Sequence, residues 1–316
     1  MARDTRRRFE AEAAKMRPQI RAAFLQAIAD IKRTADMDAL ITALERGDVA
    51  GALAALKLGP EYFAVLDEAV RATYAAGGNY ALSSLPKKNP ATGTELVIRF
   101  QGRHPRAETW LSRRSSNLIV EITAGQRTAI REVITRRLVE GVNPKTTALD
   151  LVGRVDKLTK RRTGGIVGLT SREALAVENY RLELAGEGRK ADQIDRMVSR
   201  YSNKLLRVRG ERIARTETIA SLNAGRDEGM NQLIESGEVS ADAVTGTWDS
   251  SGDGRVRDSH AEMDGQTQPQ GQPFQSPVTG ALMMHPGDTS LGAGGADTIN
   301  CRCYKSISVD YFAGVT

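Results

Sequence analysis

The run Trp248-Asp249-Ser250-Ser251-Gly252-Asp253-Gly254-Arg255-Val256-Arg257-Asp258-Ser259-His260-Ala261-Glu262-Met263-Asp264-Gly265 decides how this chain is read. A polar loop follows it, then His285-Pro286-Gly287-Asp288 and, near the end, Asn300-Cys301-Arg302-Cys303. Two of the three histidines and both cysteines lie in this tail. Thr247-Trp248-Asp249 and Arg255-Val256-Arg257 read as short strands joined by a turn-rich Ser250–Gly254 connection. Ser259-His260-Ala261-Glu262 has the capping-box pattern, so a short helix is expected there, ended by Gly265. On that helix His260 and Asp264 would be neighbours at i and i+4.

Working outward, the upstream sequence reads as helical scaffold. Residues 18–34 put Ile20, Phe24, Ile28 and Ile31 on one side of a helix. Pro18 suits a first turn, so residues 3–16 are expected as a separate basic helix. Short helices follow at 37–45 and 49–56, and another at 61–74, which Gly77-Gly78 should interrupt. Leu96-Val97-Ile98-Arg99-Phe100, flanked by Gly93 and Gly102, is the one strand-like run before the tail. A second helical block begins near Ala107, stops at Gly141, and restarts at Asn143-Pro144. Thr170-Ser171-Arg172-Glu173 is a further capping box. Residues 202–235 carry the longest helical pattern, which would span roughly 50 Å, with Gly237 as its stop. The expected class is mainly α with a small C-terminal α+β domain. The expected segments are 1–85 (helical), 86–106 (linker or hairpin-like insert), 107–237 (helical, ending in the long helix) and 238–316 (the α+β domain).

Composition agrees with that class. At 316 residues the chain is long enough for two or three cores, and 40% hydrophobic residues can fill them. No uninterrupted apolar run approaches the length of a membrane span, and no apolar stretch follows the basic start, so neither a transmembrane helix nor a secretory signal is expected. Two cysteines two residues apart make no disulfide framework. Charge is unevenly spread. From Thr245 onward there are four Lys/Arg and eight Asp/Glu, against 41 and 31 upstream. A basic upstream part suits contact with nucleic acid or an acidic protein surface, and equally suits solvated helix faces.

Cys301 and Cys303 would send both sulfurs to one side of an extended segment. Their α-carbons would then sit at the stretched end of the disulfide range, about 6.5–7 Å apart, so two thiolates aimed at one ion fit more easily. The candidate zinc set is His260, Cys301 and Cys303, with Asp264 or His285 fourth. The alternative is packing, with the cysteines as small buried hydrophobes and the histidines as hydrogen-bonding core residues. A metal-dependent hydrolase or nuclease built on His260, Asp264, Cys301 and Cys303 is the competing enzyme class. Nothing around Cys301 reads as an oxyanion-hole turn, however, and 164–170 lacks the Lys-Ser/Thr ending of a phosphate loop. In the long helix, Arg215, Glu217 and Asn223 read either as ordinary surface charge or as residues that dock the tail.

These positions carry a resemblance. Ala214-Arg215-Thr216-Glu217 and Asn223, followed by Trp248, Asp253, Arg255-Val256-Arg257, His260, Asp264-Gly265, Phe274, Gly280, Pro286-Gly287-Asp288 and Asn300-Cys301-Arg302-Cys303, resemble the phage Mu F-like minor head proteins, the head morphogenesis domain. The likeness covers about the last third of the chain, from Ile213 to Tyr304. It implies a virion component of a tailed double-stranded DNA phage or prophage, assembled in the bacterial cytoplasm. Its place would be at the portal vertex inside the head, assisting assembly or DNA delivery. Its partners would be the portal and other head proteins; the basic upstream charge adds the expectation of non-specific contact with packaged DNA, and the lack of a long apolar run that of no contact with membrane. The resemblance implies no enzyme. With about a dozen residues after Cys303, no further catalytic domain is expected. Asp253, Arg255, Arg257, Trp248, Asp288 and Asn300 are then expected to hold the module's fold or its docking, and a zinc ion, if bound, to be structural. A free DNA-binding protein is a third reading, which predicts binding outside any particle.

Overall fold

The apolar spacing of the N-terminal segment produces one helix, not two. In the computed structural model, which describes residues 6–313, helix α1 (Arg6–Thr34) runs straight through Pro18. The start of the expected basic helix, residues 3–5, and the last three residues of the chain lie outside the described range. An internal proline costs about 3 kcal/mol. Phe9 and Met16 before it, and Ile20, Phe24, Ile28 and Ile31 after it, are all buried. Burial at roughly 1.5–3 kcal/mol per large side chain outweighs the lost bond.

Helices α2 (Met37–Glu45) and α3 (Val49–Ala55) follow, capped by the side chains of Asp36 and Asp48. Helix α4 (Ala64–Ser83) continues through Gly77-Gly78 where an interruption was expected. The glycines are there for close approach, as described below. Leu96–Phe100 forms no strand. Only a single antiparallel bridge, Lys88 to Glu95, marks the insert. Ile98 packs on a core cluster and Phe100 lies 6.0 Å from the Tyr74 ring, so these apolar side chains are anchors for a loop.

Helix α5 (Pro105–Val139) is followed by Gly141 at φ +65°, and α6 (Pro144–Val152) starts at an Asn143 cap and ends at Gly153, φ +95°. A two-residue ladder, β1 (Arg154–Val155) and β2 (Arg162–Thr163), precedes α7 (Ser171–Gly186). The capping box at Thr170 and Glu173 forms in both directions. Helix α8 (Ala191–Glu235) is 45 residues long, starting well before the expected residue 202.

The tail holds β3 (Val244–Asp249), α9 (Asp258–Ala261), β4 (Thr267–Pro269), β5 (Phe274–Gln275), β6 (Leu282–Met283), α10 (Gly295–Thr298) and β7 (Tyr304–Val309). Strand β3 is central in an antiparallel sheet of order β4-β3-β7, with Thr247 opposite Thr267 on one side and Ser306 on the other. The chain is therefore mainly α with a small C-terminal α+β module. Two tail expectations change. Arg255–Arg257 is a turn rather than a strand, and α9 is capped at Arg257, not Ser259, without a side-chain cap bond. Arg257 is taken up by the carbonyls of Asp297 and Ile299 across the module, while Arg255 pairs locally with Asp253.

Compactness does not follow the sequential segments. Residues 6–21, 67–113 and 212–313 form one unit, and 22–66 with 114–211 form another. The second unit packs Leu40, Leu44, Phe63, Ile130, Ile134, Leu151 and Leu169 in its interior. It also buries a charge network in which Asp150 receives Arg154 at 3.0 Å and Arg181 at 2.8 Å, while Arg137 reaches Glu178 at 2.5 Å. By length and apolar content alone, Val49–Ser83 could cross a membrane. Here it is divided between α3, a single 3-10 turn and α4, and it buries Leu53, Leu56, Phe63, Leu66, Val70 and Tyr74.

Lys32, in the same unit, is buried with its Nζ donating to the Gly164 carbonyl at 2.6 Å. Burial without a counter-charge pulls its pKa from 10.5 down to about 8. Between those values the unfolded chain holds the proton more firmly than the folded one, so stability rises as pH climbs from about 8 to 10.5. The full gain is on the order of 3 kcal/mol. Urea denaturation across that range should show wild type gaining on Lys32→Met by about this amount. Parallel curves would contradict the burial of a charged amine.

Candidate functional site

The C-terminal module sits on α8 through polar groups that reach main chain. Asn223, buried, accepts from the Lys305 amide at 3.1 Å, and its own amide faces the carbonyls of Ile219 (3.0 Å), Pro286 (3.4 Å) and Cys303 (3.4 Å). Thr216 Oγ1 accepts from the Asn300 amide at 3.0 Å, where Asn300 adopts φ +58°. Arg226 is almost fully buried. It donates to the Lys305 carbonyl at 2.8 Å, and its guanidinium lies 5.3–5.5 Å from the ring centres of Phe9, Tyr80 and Tyr304. Lys305, equally buried, pairs with Asp227 and donates to Gln270 at 3.1 Å. Gln270 in turn donates to Asp227 at 3.0 Å and Asn231 at 2.8 Å. The stretch of α8 from Asn223 to Asn231 thus fixes β7 and the loop after β4.

Helix α8 meets α4 at very short range. A Cβ on Gly225 would lie 1.9 Å from the Tyr74 carbonyl oxygen, and one on Gly77 would lie 2.3 Å from that of Leu222. Only glycine permits this crossing.

Of the residues expected to dock the tail, Asn223 does so directly. Glu217 is buried in α8. Arg215 lines a cleft of about 250 Å³ between α1 and α8, with Arg17 and Arg302 also on its wall and Phe9, Ala13 and Ile219 as apolar lining. Asp253 is bound by both Arg302 nitrogens at 2.5 and 2.6 Å and by Arg255 at 3.2 Å. The Arg302 guanidinium holds its carboxyl well below the usual range. Arg257 spans to the carbonyls of Asp297 and Ile299, tying the turn before α9 to α10. Asp288 is buried. Burial raises its pKa, but His285 and hydrogen bonds from Met284 and Ser290 outweigh that and hold it low.

Trp248 is the largest fully buried side chain and centres the module's core, 5.5 Å from the Phe274 ring and 5.1 Å from the His260 ring, both edge-on. Beside it His260, Cys301 and Cys303 converge. His260 Nδ1 is 3.5 Å from Cys301 Sγ and 3.4 Å from Cys303 Sγ, and all three side chains are 3% exposed or less. Both cysteines are free. Asp264, expected four residues along the same helix, is not among these three. α9 ends at Ala261, and the Asp264 carboxylate accepts from the Ser250 amide at 2.7 Å. His285 is buried elsewhere in the module, with Nδ1 3.3 Å from the Pro286 carbonyl. Asp297 was not singled out from sequence, yet its Oδ1 lies 4.0 Å from His260 Nε2. The sulfurs divide the proton. Hydrogen bonding to Cys303 and burial raise Cys301 well above its ordinary value, while Cys303 is pulled down to about 5 by that bond and by His260.

Arg226, Asp227, Gln270 and Lys305 escaped sequence reading because charged and amide residues in a helix or near a chain end look like surface. Only Ile307 and Val309, which share its alternation along β7, hint that Lys305 is buried.

A long-helix scaffold clasping a small, disulfide-free α+β module defines the class of protein. The family model described as Phage Mu protein F like protein matches residues 128–306, more than half of the chain and well upstream of the last third that carried the resemblance. The protein belongs to that family. Membership makes it a phage head morphogenesis protein. No curated protein and no solved structure matches it.

Proposed function

We propose that this protein is a minor capsid protein of a tailed double-stranded DNA phage or prophage, held at the portal vertex inside the head, where it assists head assembly or DNA delivery. The family match over residues 128–306 carries the reading. The polar residues of the module and of its seat on α8 support it, because they are spent on internal contacts: Asn223 and Arg226 bind main chain, Lys305 pairs with Asp227, and Asp253 binds Arg302. The excess of Lys/Arg upstream of Thr245 suits contact with packaged DNA through phosphates, without sequence readout.

The hydrolase reading has less behind it. His260, Cys301 and Cys303 are buried, so a polymeric substrate has no surface approach to them. Co-expression with the portal protein of the same phage tests the proposal. The full chain should co-elute with the portal oligomer on size exclusion and survive moderate salt. Separate elution at low salt, or hydrolytic turnover abolished by Cys301→Ser, would overturn it.

A further inference from the structure

We propose that His260 Nδ1, Cys301 Sγ and Cys303 Sγ bind one zinc ion, and that Asp297 positions the imidazole from its far side. The inference is independent of the virion reading. Tetrahedral zinc with bonds of about 2.3 Å to sulfur and 2.0–2.1 Å to nitrogen places a sulfur and a nitrogen ligand roughly 3.6 Å apart. The two nitrogen–sulfur separations here are 3.5 and 3.4 Å, and the three donor atoms lie within 4.8 Å of one another. Three groups with the donor chemistry of a zinc site therefore already have two of its three edge lengths, with the third within 4.8 Å.

The chain delivers them from two directions. The single turn of α9 presents His260, and the segment between α10 and β7 presents both sulfurs. The Cys303 amide points at Cys301 Sγ at 3.4 Å, a contact suited to a thiolate. The other ring nitrogen gives the second, independent observation. His260 Nε2 is buried and has no hydrogen-bond partner. It faces Asp297 Oδ1 at 4.0 Å, and that oxygen accepts from Ser259 at 3.3 Å and Thr279 at 3.3 Å. A carboxylate behind a metal-bound imidazole is the usual way such a ring is oriented and its coordinating nitrogen made more basic. Asp297 is thus a positioning residue, itself held by two hydroxyls.

Among the described residues no fourth His, Cys, Asp or Glu joins the three, so water takes the remaining position. Binding releases the thiol protons, and because the donors are 3% exposed or less the ion enters as the module folds. It cross-links α9 to the segment between α10 and β7.

Expression of the full chain in zinc-supplemented medium, followed by elemental analysis, should give about one zinc per chain. Cobalt-loaded protein should show a thiolate-to-metal charge-transfer band, which Cys301→Ser or Cys303→Ser reduces. Asp297→Asn leaves all three ligands in place and should weaken zinc affinity about 10–100-fold in chelator competition. That variant and the wild-type cobalt spectrum decide the matter even if the cysteine variants fail to fold. Wild-type protein folded in the presence of zinc that holds less than about a tenth of an equivalent would overturn the site. So would a cobalt complex lacking the band, or a Cys301–Cys303 disulfide in freshly purified protein.

Discussion

Lys305→Met is expected to lower stability by about 3–5 kcal/mol, because it strands the Asp227 carboxylate inside the protein. Lys305 is 1% exposed and Asp227 8%, so the remaining charge has little water to turn to. Gln270 donates its amide to Asp227 at 3.0 Å and offers its carbonyl to Lys305 at 3.1 Å, so the loss would also unbalance the loop after β4. The ion pair itself is not the stabilising element. Replacing both charges, as Lys305→Met with Asp227→Leu, should recover most of the loss, since well-packed apolar groups often match a buried pair. Urea denaturation of the wild type, the single variant and the double variant separates the two effects. A single-variant loss below about 1 kcal/mol would mean that the pair is solvated and does not hold the module to α8.

Gly225→Ala should cost roughly 3 kcal/mol, a sign opposite to that of helix propensity. In an open helix, alanine gains about 1 kcal/mol over glycine. At Gly225 the added carbon would lie 1.9 Å from the Tyr74 carbonyl oxygen and 3.1 Å from the Gly78 nitrogen, both backbone atoms that cannot swing aside. The two helices would have to separate, loosening the packing of Tyr74 and Leu222. Gly125→Ala is the internal control. It lies inside α5 with nothing within 4 Å of the new carbon, and should gain the propensity term. Thermal unfolding of the two variants should therefore move in opposite directions. Equal shifts would contradict the close crossing of α4 and α8.

The same two sites mark what sequence could convey. Local signals were legible where one or two residues settle a helix end. Examples are the Thr170/Glu173 capping box, the Asn143-Pro144 start, Gly141 as a stop, and the short helices expected at 37–45 and 49–56, the second of which ends at Ala55 with Leu56 as its cap. The same local logic misread Pro18 and Gly77-Gly78 as breaks, because there distant partners outweigh intrinsic preference. The run Leu96–Phe100 has strand composition but no neighbouring strand to pair with, so its apolar side chains anchor a loop. The sequence grouped His260 with Cys301 and Cys303 as candidate ligands, and the fold brings those three side chains together. It could not identify Asp297, which approaches the ring from α10 and has no spacing relation to it. Arg226 was invisible for a different reason. An arginine on a helix reads as solvated until three aromatic rings from separate segments are seen around it.

Quantitative mass spectrometry of purified heads tests the virion assignment most directly. Heads from phage carrying this gene should be compared with heads assembled without the portal protein. The expected result is a low-copy component of complete heads that is missing from portal-less ones. Complete heads without this polypeptide, or equal amounts in both preparations, would contradict a place at the portal vertex.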